Sequence, residues 1–169
     1  MATILDRQKL PVYTAIMKNK DFQASQDIYQ RVSTQCLCAN LRQAARAITQ
    51  LYDEFLKPSG LLGTQFRLLG AIAAHGPVAL TPLADQLAVD PTTLARNLKP
   101  LERDGLVEIS KGEDRRTRVL RITERGLDAM FMAVPLWEEA QAWVISQIGE
   151  ERGRIMLGDW SEIGSLVRK

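Results

Sequence analysis

Between Asp90 and Glu102 the chain carries Thr92, Thr93, Arg96, Asn97 and Lys99 and no carboxylate. Short hydroxyls, an amide and cationic tips are the groups that donate to phosphate oxygens and bond base edges in a groove of duplex DNA. A face meant only for solvent would more typically alternate Glu with Lys. Further on, Lys111, Arg115, Arg116, Arg118 and Arg121 face only Glu113 and Asp114. That local excess of three positive charges exceeds the +2 of the whole 169-residue chain. Any affinity for a polyanion must therefore come from local placement of charge, not from bulk charge. Other chemistries find little material. With His75 as the one histidine, a multi-histidine metal centre is excluded. No nucleophile–base pair stands out, and Gly60, Gly63 and Gly70 lack the spacing of a phosphate-cradling loop. An enzyme is not expected, nor a metal or cofactor.

The elements that must position these residues follow from periodicity. At 46% hydrophobic and 25% charged, the composition is that of an ordinary globular chain. No apolar run reaches membrane-spanning length and the N-terminus has no signal-peptide core, so no membrane partner is expected. Two cysteines two residues apart cannot form a disulfide framework, which makes the cytoplasm the expected compartment. Residues 1–35 read as an N-terminal extension, an arm with a short helix near 24–32. From Cys36 to Lys57, Leu37, Leu41, Ala44, Ala45, Ile48, Leu51, Tyr52 and Phe55 recur at steps of three and four, one apolar helical stripe. A second helix is predicted from a Thr64 cap to Ala74, then a minimal strand over 78–80, then a helix capped by Thr81. Asp90 and Pro91 repeat a cap-plus-proline start for the helix ending at Asp104-Gly105. There Leu94, Leu98 and Leu101 form the inward stripe, leaving Thr92, Thr93, Arg96 and Asn97 outward. Pro100 removes the hydrogen bond to the Arg96 carbonyl, a cost of about 3 kcal/mol unless the helix bends. Past Gly105 the period becomes two, a β-hairpin with a cationic tip. Thr123 caps a long helix through Ile148, and Gly149 separates it from the last one. The expected fold is mainly α with a small β-hairpin wing, a winged helix-turn-helix between long terminal helices.

These residues resemble MarR-type transcriptional regulators. Across 114–126, Asp114, Arg116, Leu120, Ile122, Thr123 and Gly126 match that family's wing signature. The runs 83–87 and 98–107 match as well, and the likeness extends over about 36–167. The resemblance implies a homodimer on a pseudo-palindromic operator, usually a repressor released by a small molecule or by cysteine oxidation. It makes 61–126 the DNA-binding domain and 36–60 with 127–169 the helical dimerisation region. Double-stranded DNA would be held by Thr92, Thr93, Arg96, Asn97, Lys99, Arg115, Arg116 and Arg118, with Asp114 orienting the wing arginine.

Two-fold pairing is also expected physically, because one reader alone contacts few base pairs. Leu37, Leu41, Phe131, Val134, Trp137, Trp143, Val144, Ile148, Ile155, Trp160, Ile163 and Leu166 supply more apolar surface than one chain needs. A small aromatic or anionic effector would sit beside Arg42, Arg46, Tyr52, His75 and Trp137, any of which also reads as an ordinary surface or packing residue. Cys36 and Cys38 are either packing residues, or one of them is a peroxide-sensing thiol. On one α-helix they would point about 200° apart and could not bridge each other. A further alternative is a winged-helix module whose arginines meet an acidic protein.

Overall fold

The computed structural model describes residues 22–112, 114 and 117–166. The chain divides into two compact units, Met1–Ile48 and Thr49–Lys169. In the first, helix α1 (Phe22–Gln35) is followed at once by α2 (Leu37–Leu56), which runs on into the second unit. Cys36 alone separates them, and the hydrogen bonding hardly lapses there. Its N–H donates to the Val32 carbonyl and its own carbonyl accepts from Asn40, both at 3.1 Å. The Asn40 amide reinforces the junction by donating to the Ser33 and Cys36 carbonyls. The arm is thus a longer helix than 24–32 predicts. The apolar stripe of α2 divides by exposure: Leu37, Leu41, Ala44, Ala45 and Ile48 are exposed, Leu51, Tyr52 and Phe55 are half-buried, and Leu56, outside the stripe, is the residue of α2 that is fully buried.

The second unit holds the core. After a turn of 3-10 helix over Lys57–Ser59 come α3 (Gly63–His75), β1 (Val78–Ala79), α4 (Leu80–Gln86) and α5 (Pro91–Arg103). Then follow β2 (Val107–Lys111), β3 (Arg118–Ile122), α6 (Glu124–Ile148) and α7 (Glu150–Leu166). The strands form one antiparallel sheet in the order β1-β3-β2, pairing Val78 with Leu120 and Val107 with Ile122. The two-residue strand before α4 therefore anchors the hairpin to the helices, a pairing that the sequence reading did not anticipate. Leu56, Leu69, Ile72, Leu83, Leu94, Leu98, Leu101 and Leu120 are all fully buried in one cluster. Each of the elements from α2 to β3 except β1 donates at least one side chain to it, so this packing fixes the outward residues of α5 and the wing.

Two helix starts differ from expectation. Thr64 is not the cap of α3: Leu62 holds that position, and its N–H is met by the Gln65 side chain at 2.9 Å. The next N–H, of Gly63, donates to the Asp53 carboxylate at 2.7 Å. A tertiary partner on α2 thus does the work of a local hydroxyl. Likewise α4 begins at Leu80 with Ala79 as its cap, so Thr81 lies within its first turn. Asp90 and Thr123 cap as expected, accepting from the Thr93 N–H at 2.9 Å and the Gly126 N–H at 3.0 Å. Helix α5 continues past Pro100 and α6 past Pro135.

Candidate nucleic-acid interface

Helices α4 and α5 are joined by Leu87, Ala88, Val89 and Asp90. The Ala88 N–H donates to the Asp85 carbonyl and the Val89 N–H to the Ala84 carbonyl, which is the Schellman pattern. That pattern needs a left-handed residue, and Ala88 adopts it at φ 55°. The end of α5 repeats the motif through Gly105 at φ 70°, with Leu106 bonded to Leu101. The same device thus ends both helices of the pair, once with the residue that suits it and once with alanine.

On α5 the inward stripe of Leu94, Leu98 and Leu101 is fully buried, and Thr92, Arg96, Asn97 and Lys99 are exposed. Thr93 is half-buried; its N–H bonds the Asp90 carboxylate and its hydroxyl accepts from Arg96 at 3.4 Å. Those bonds from Thr93, through side chain and main chain, hold the Asp90 carboxyl below the usual carboxylate range. The Asp104 carboxyl is lowered too, chiefly by the Arg103 guanidinium that it meets at 2.9 Å.

The wing root is locked to the helices by a small set of bonds. The Thr123 hydroxyl donates to the Gly105 carbonyl at 2.8 Å while accepting from Gly126, and the Thr123 N–H donates to the Leu106 carbonyl at 3.1 Å. Gly126 packs so closely that a Cβ there would lie 2.1 Å from the Leu106 oxygen. Only glycine fits, which gives the signature's threonine and glycine a steric reason. At the outer end of the hairpin the Thr117 N–H bonds the Asp114 carbonyl and the Gly112 N–H bonds the Thr117 carbonyl. Arg118 is exposed on β3, directly across from Lys111 on β2. Arg115 and Arg116 lie outside the described residues, as does any pairing of Arg116 with Asp114.

Of the residues suggested for an effector, Tyr52, His75 and Trp137 belong to the second unit and Arg42 and Arg46 to the first. Tyr52 bonds Gln141 through its hydroxyl, and burial pushes its phenol up. Trp137 stands 6.2 Å from the Phe66 ring and lines a groove of about 640 Å³ that also includes Gln141, Ile145 and Glu150. His75 is exposed and turned back on the Ala71 carbonyl of its own helix. Arg42 and Arg46 are exposed in the first unit. Cys36 is half-buried at the α1–α2 junction and Cys38 is exposed in the first turn of α2. Cys36 stands one residue ahead of α2, yet its N–H and carbonyl both make the i, i−4 bonds of a continuous helix, so the helical-spacing argument against a bridge holds, and both thiols are free. No group of metal-ligating side chains occurs among the described residues, and no helix there is long and apolar enough to cross a membrane.

A profile described as MarR family matches residues 59–117. Among solved structures, the transcriptional regulator MosR of M. tuberculosis in complex with DNA is 38% identical, with a TM-score of 0.70. That match covers 80% of this chain and all of MosR. A MarR variant of E. coli complexed with operator DNA reaches the same TM-score at 18% identity, over 79% of this chain and 96% of that one, a likeness of fold alone. YwoH, an uncharacterized HTH-type transcriptional regulator of Bacillus subtilis, is 32% identical over 88 residues. That stretch is 52% of this chain and 64% of YwoH, so the match spans a little under two thirds of the curated relative.

Proposed function

The chain belongs to the MarR family of winged helix-turn-helix transcriptional regulators, and from that premise we propose that it acts as a homodimer that binds duplex DNA and represses transcription from a pseudo-palindromic operator. The observation that carries the DNA reading is the division of α5 into a fully buried leucine stripe and an outward face of Thr92, Arg96, Asn97 and Lys99. On this reading Arg96 and Asn97 meet base edges in the major groove, with Thr93 behind them holding Arg96 and Thr92 facing the backbone. Lys99 meets the backbone. Arg115 and Arg116 follow the wing into the neighbouring minor groove, where the potential is most negative, Asp114 orients Arg116, and Arg118 meets the backbone. The dimer closes through the terminal regions, 36–60 and 127–169. Its support is the exposed apolar surface there: Leu37 is 82% exposed, Phe131 63%, and Ile155, Trp160, Ile163 and Leu166 are all open to solvent in one chain.

Salt dependence is the deciding experiment. A dimer with about 10 phosphate contacts gives a log–log slope near −9 between affinity and salt. Arg116→Ala should flatten that slope by about 1–2 units. Binding to a duplex that ignores salt, or binding to an acidic protein in its place, would overturn the reading.

Release is assigned to a small aromatic or anionic ligand. Of the five residues first suggested, Tyr52 and Trp137 have structural support, because Gln141 bonds the first and shares a groove with the second. Such a ligand acts only by favouring a conformation whose two recognition helices are wrongly spaced for the operator. A thiol switch is the second reading, favoured by the exposure of Cys38. Peroxide treatment of Cys36→Ser and Cys38→Ser separates the two: an unchanged loss of DNA affinity in both variants removes the thiols from the mechanism.

A further inference from the structure

Where the first turns of α4 and α5 meet the outer end of the wing hairpin there is an open cleft of about 620 Å³. Three hydroxyls from three separate elements line it: Thr81 from α4, Thr92 from α5 and Thr117 from the loop before β3. Arg118 completes the lining, the rest of which, among the described residues, is alanine, leucine and proline, with no carboxylate. Thr81 and Thr92 are exposed, and neither caps its helix. A second feature bears on the same place. The sheet register sets Arg118 directly opposite Lys111, and like charges in that relation destabilise a strand pair. Among the described residues neither is in an ion pair. Both line a smaller neighbouring cleft, whose only carboxylate among the described residues is Glu102. Short donors converging on one cleft, beside two unpaired cations on adjacent strands, match a tetrahedral anion with several acceptor oxygens.

We propose that this cleft seats a backbone phosphate of the bound duplex, with Thr81, Thr92 and Thr117 as hydroxyl donors and Arg118, seconded by Lys111, as the counter-charge. The proposal rests on the DNA-binding reading above and adds Thr81, Thr117 and Lys111 to it. A phosphate held there, between the outward face of α5 and the wing, fixes the register of both on the duplex without reading sequence.

The test uses the full chain and two duplexes of about three helical turns, one recovered by selection from a random pool and one a scrambled version of it. Thr81→Val and Thr117→Val should each weaken both duplexes about tenfold, leaving the ratio between them and the salt slope unchanged. Arg118→Gln should also weaken both equally, but should flatten the slope by about two, one for each subunit. Arg96→Ala is the contrast: it should weaken the selected duplex and reduce the ratio. If Thr81→Val and Arg118→Gln bind both duplexes as the parent does while Arg96→Ala loses the selected one, the phosphate seat is wrong and the DNA reading survives. If the parent binds neither duplex, the DNA reading fails and the seat with it. Thr81 is exposed, so its variant keeps the test decisive even if Thr117→Val folds poorly.

Discussion

The stretch from Leu56 to Leu120 and the terminal helices treat their apolar residues in opposite ways. In the first, leucines from five helices and strands reach zero exposure in a single cluster. In α7, Gly153 is the one buried residue, while Ile155, Leu157, Trp160, Ile163 and Leu166 remain exposed. Helix α1 and the first part of α2 bury nothing among the described residues. An amphipathic helix whose apolar face meets water gains little from folding, since most helical stability in proteins comes from packing that face. The reader is therefore complete within one chain, and the terminal helices call for a second apolar surface, which the proposed dimer supplies.

The largest effect is expected at the wing root. Gly126→Ala drives a Cβ against the Leu106 carbonyl and should cost about 3 kcal/mol in denaturant unfolding. An unchanged midpoint would mean that the wing is not a rigid part of the reader. In the terminal region, Trp160→Lys on a lone chain would fall within the small range of surface substitutions. In a dimer that buries Trp160 it should split the assembly in sedimentation and remove the dependence of Tm on protein concentration. A variant of parental mass and Tm would break the contrast between the two regions. A smaller gain is expected at the turn between α4 and α5, where Ala88→Gly should stabilise by about 1 kcal/mol, with the same Schellman bonds. Gly105 already holds that position at the end of α5, so Gly105→Ala should lose a similar amount. The smallest effect concerns acid. Because Asp90 has a lowered carboxyl pKa in the folded protein, its cap contributes fully above the usual carboxylate range. That contribution is lost as pH falls through the lowered value. Asp90→Asn keeps an acceptor for the Thr93 N–H and should remove this part of the acid sensitivity, read as a smaller drop of Tm between neutral and acidic pH.

Legibility in the sequence followed the range of the interactions. The Asp90 and Thr123 caps, the leucine stripe of α5 and the alternation of the wing were readable because each depends on residues within one or two turns. Thr64 and Thr81 misled for the same reason. Both have the right type beside a helix start, yet the N–H of Gly63 is satisfied by Asp53, ten residues back and on another helix. The apolar stripe of α2 was visible as a pattern, but a pattern states only that a face wants covering. It does not state whether a given residue is covered within its own chain, as Leu56 is, or left exposed there, as Leu41 is.

The chain's own order of residues determined the helix and strand types, the outward chemistry of α5 and the cationic bias of the wing, since all of these are local and periodic. Tertiary structure alone decided that a two-residue strand ties the wing to the helices, that Gly126 admits no side chain, and that Thr81, Thr92 and Thr117 open on one cleft. Those facts depend on distances between segments far apart in sequence. Such distances are set by how the leucine cluster packs, and no short window of sequence contains them.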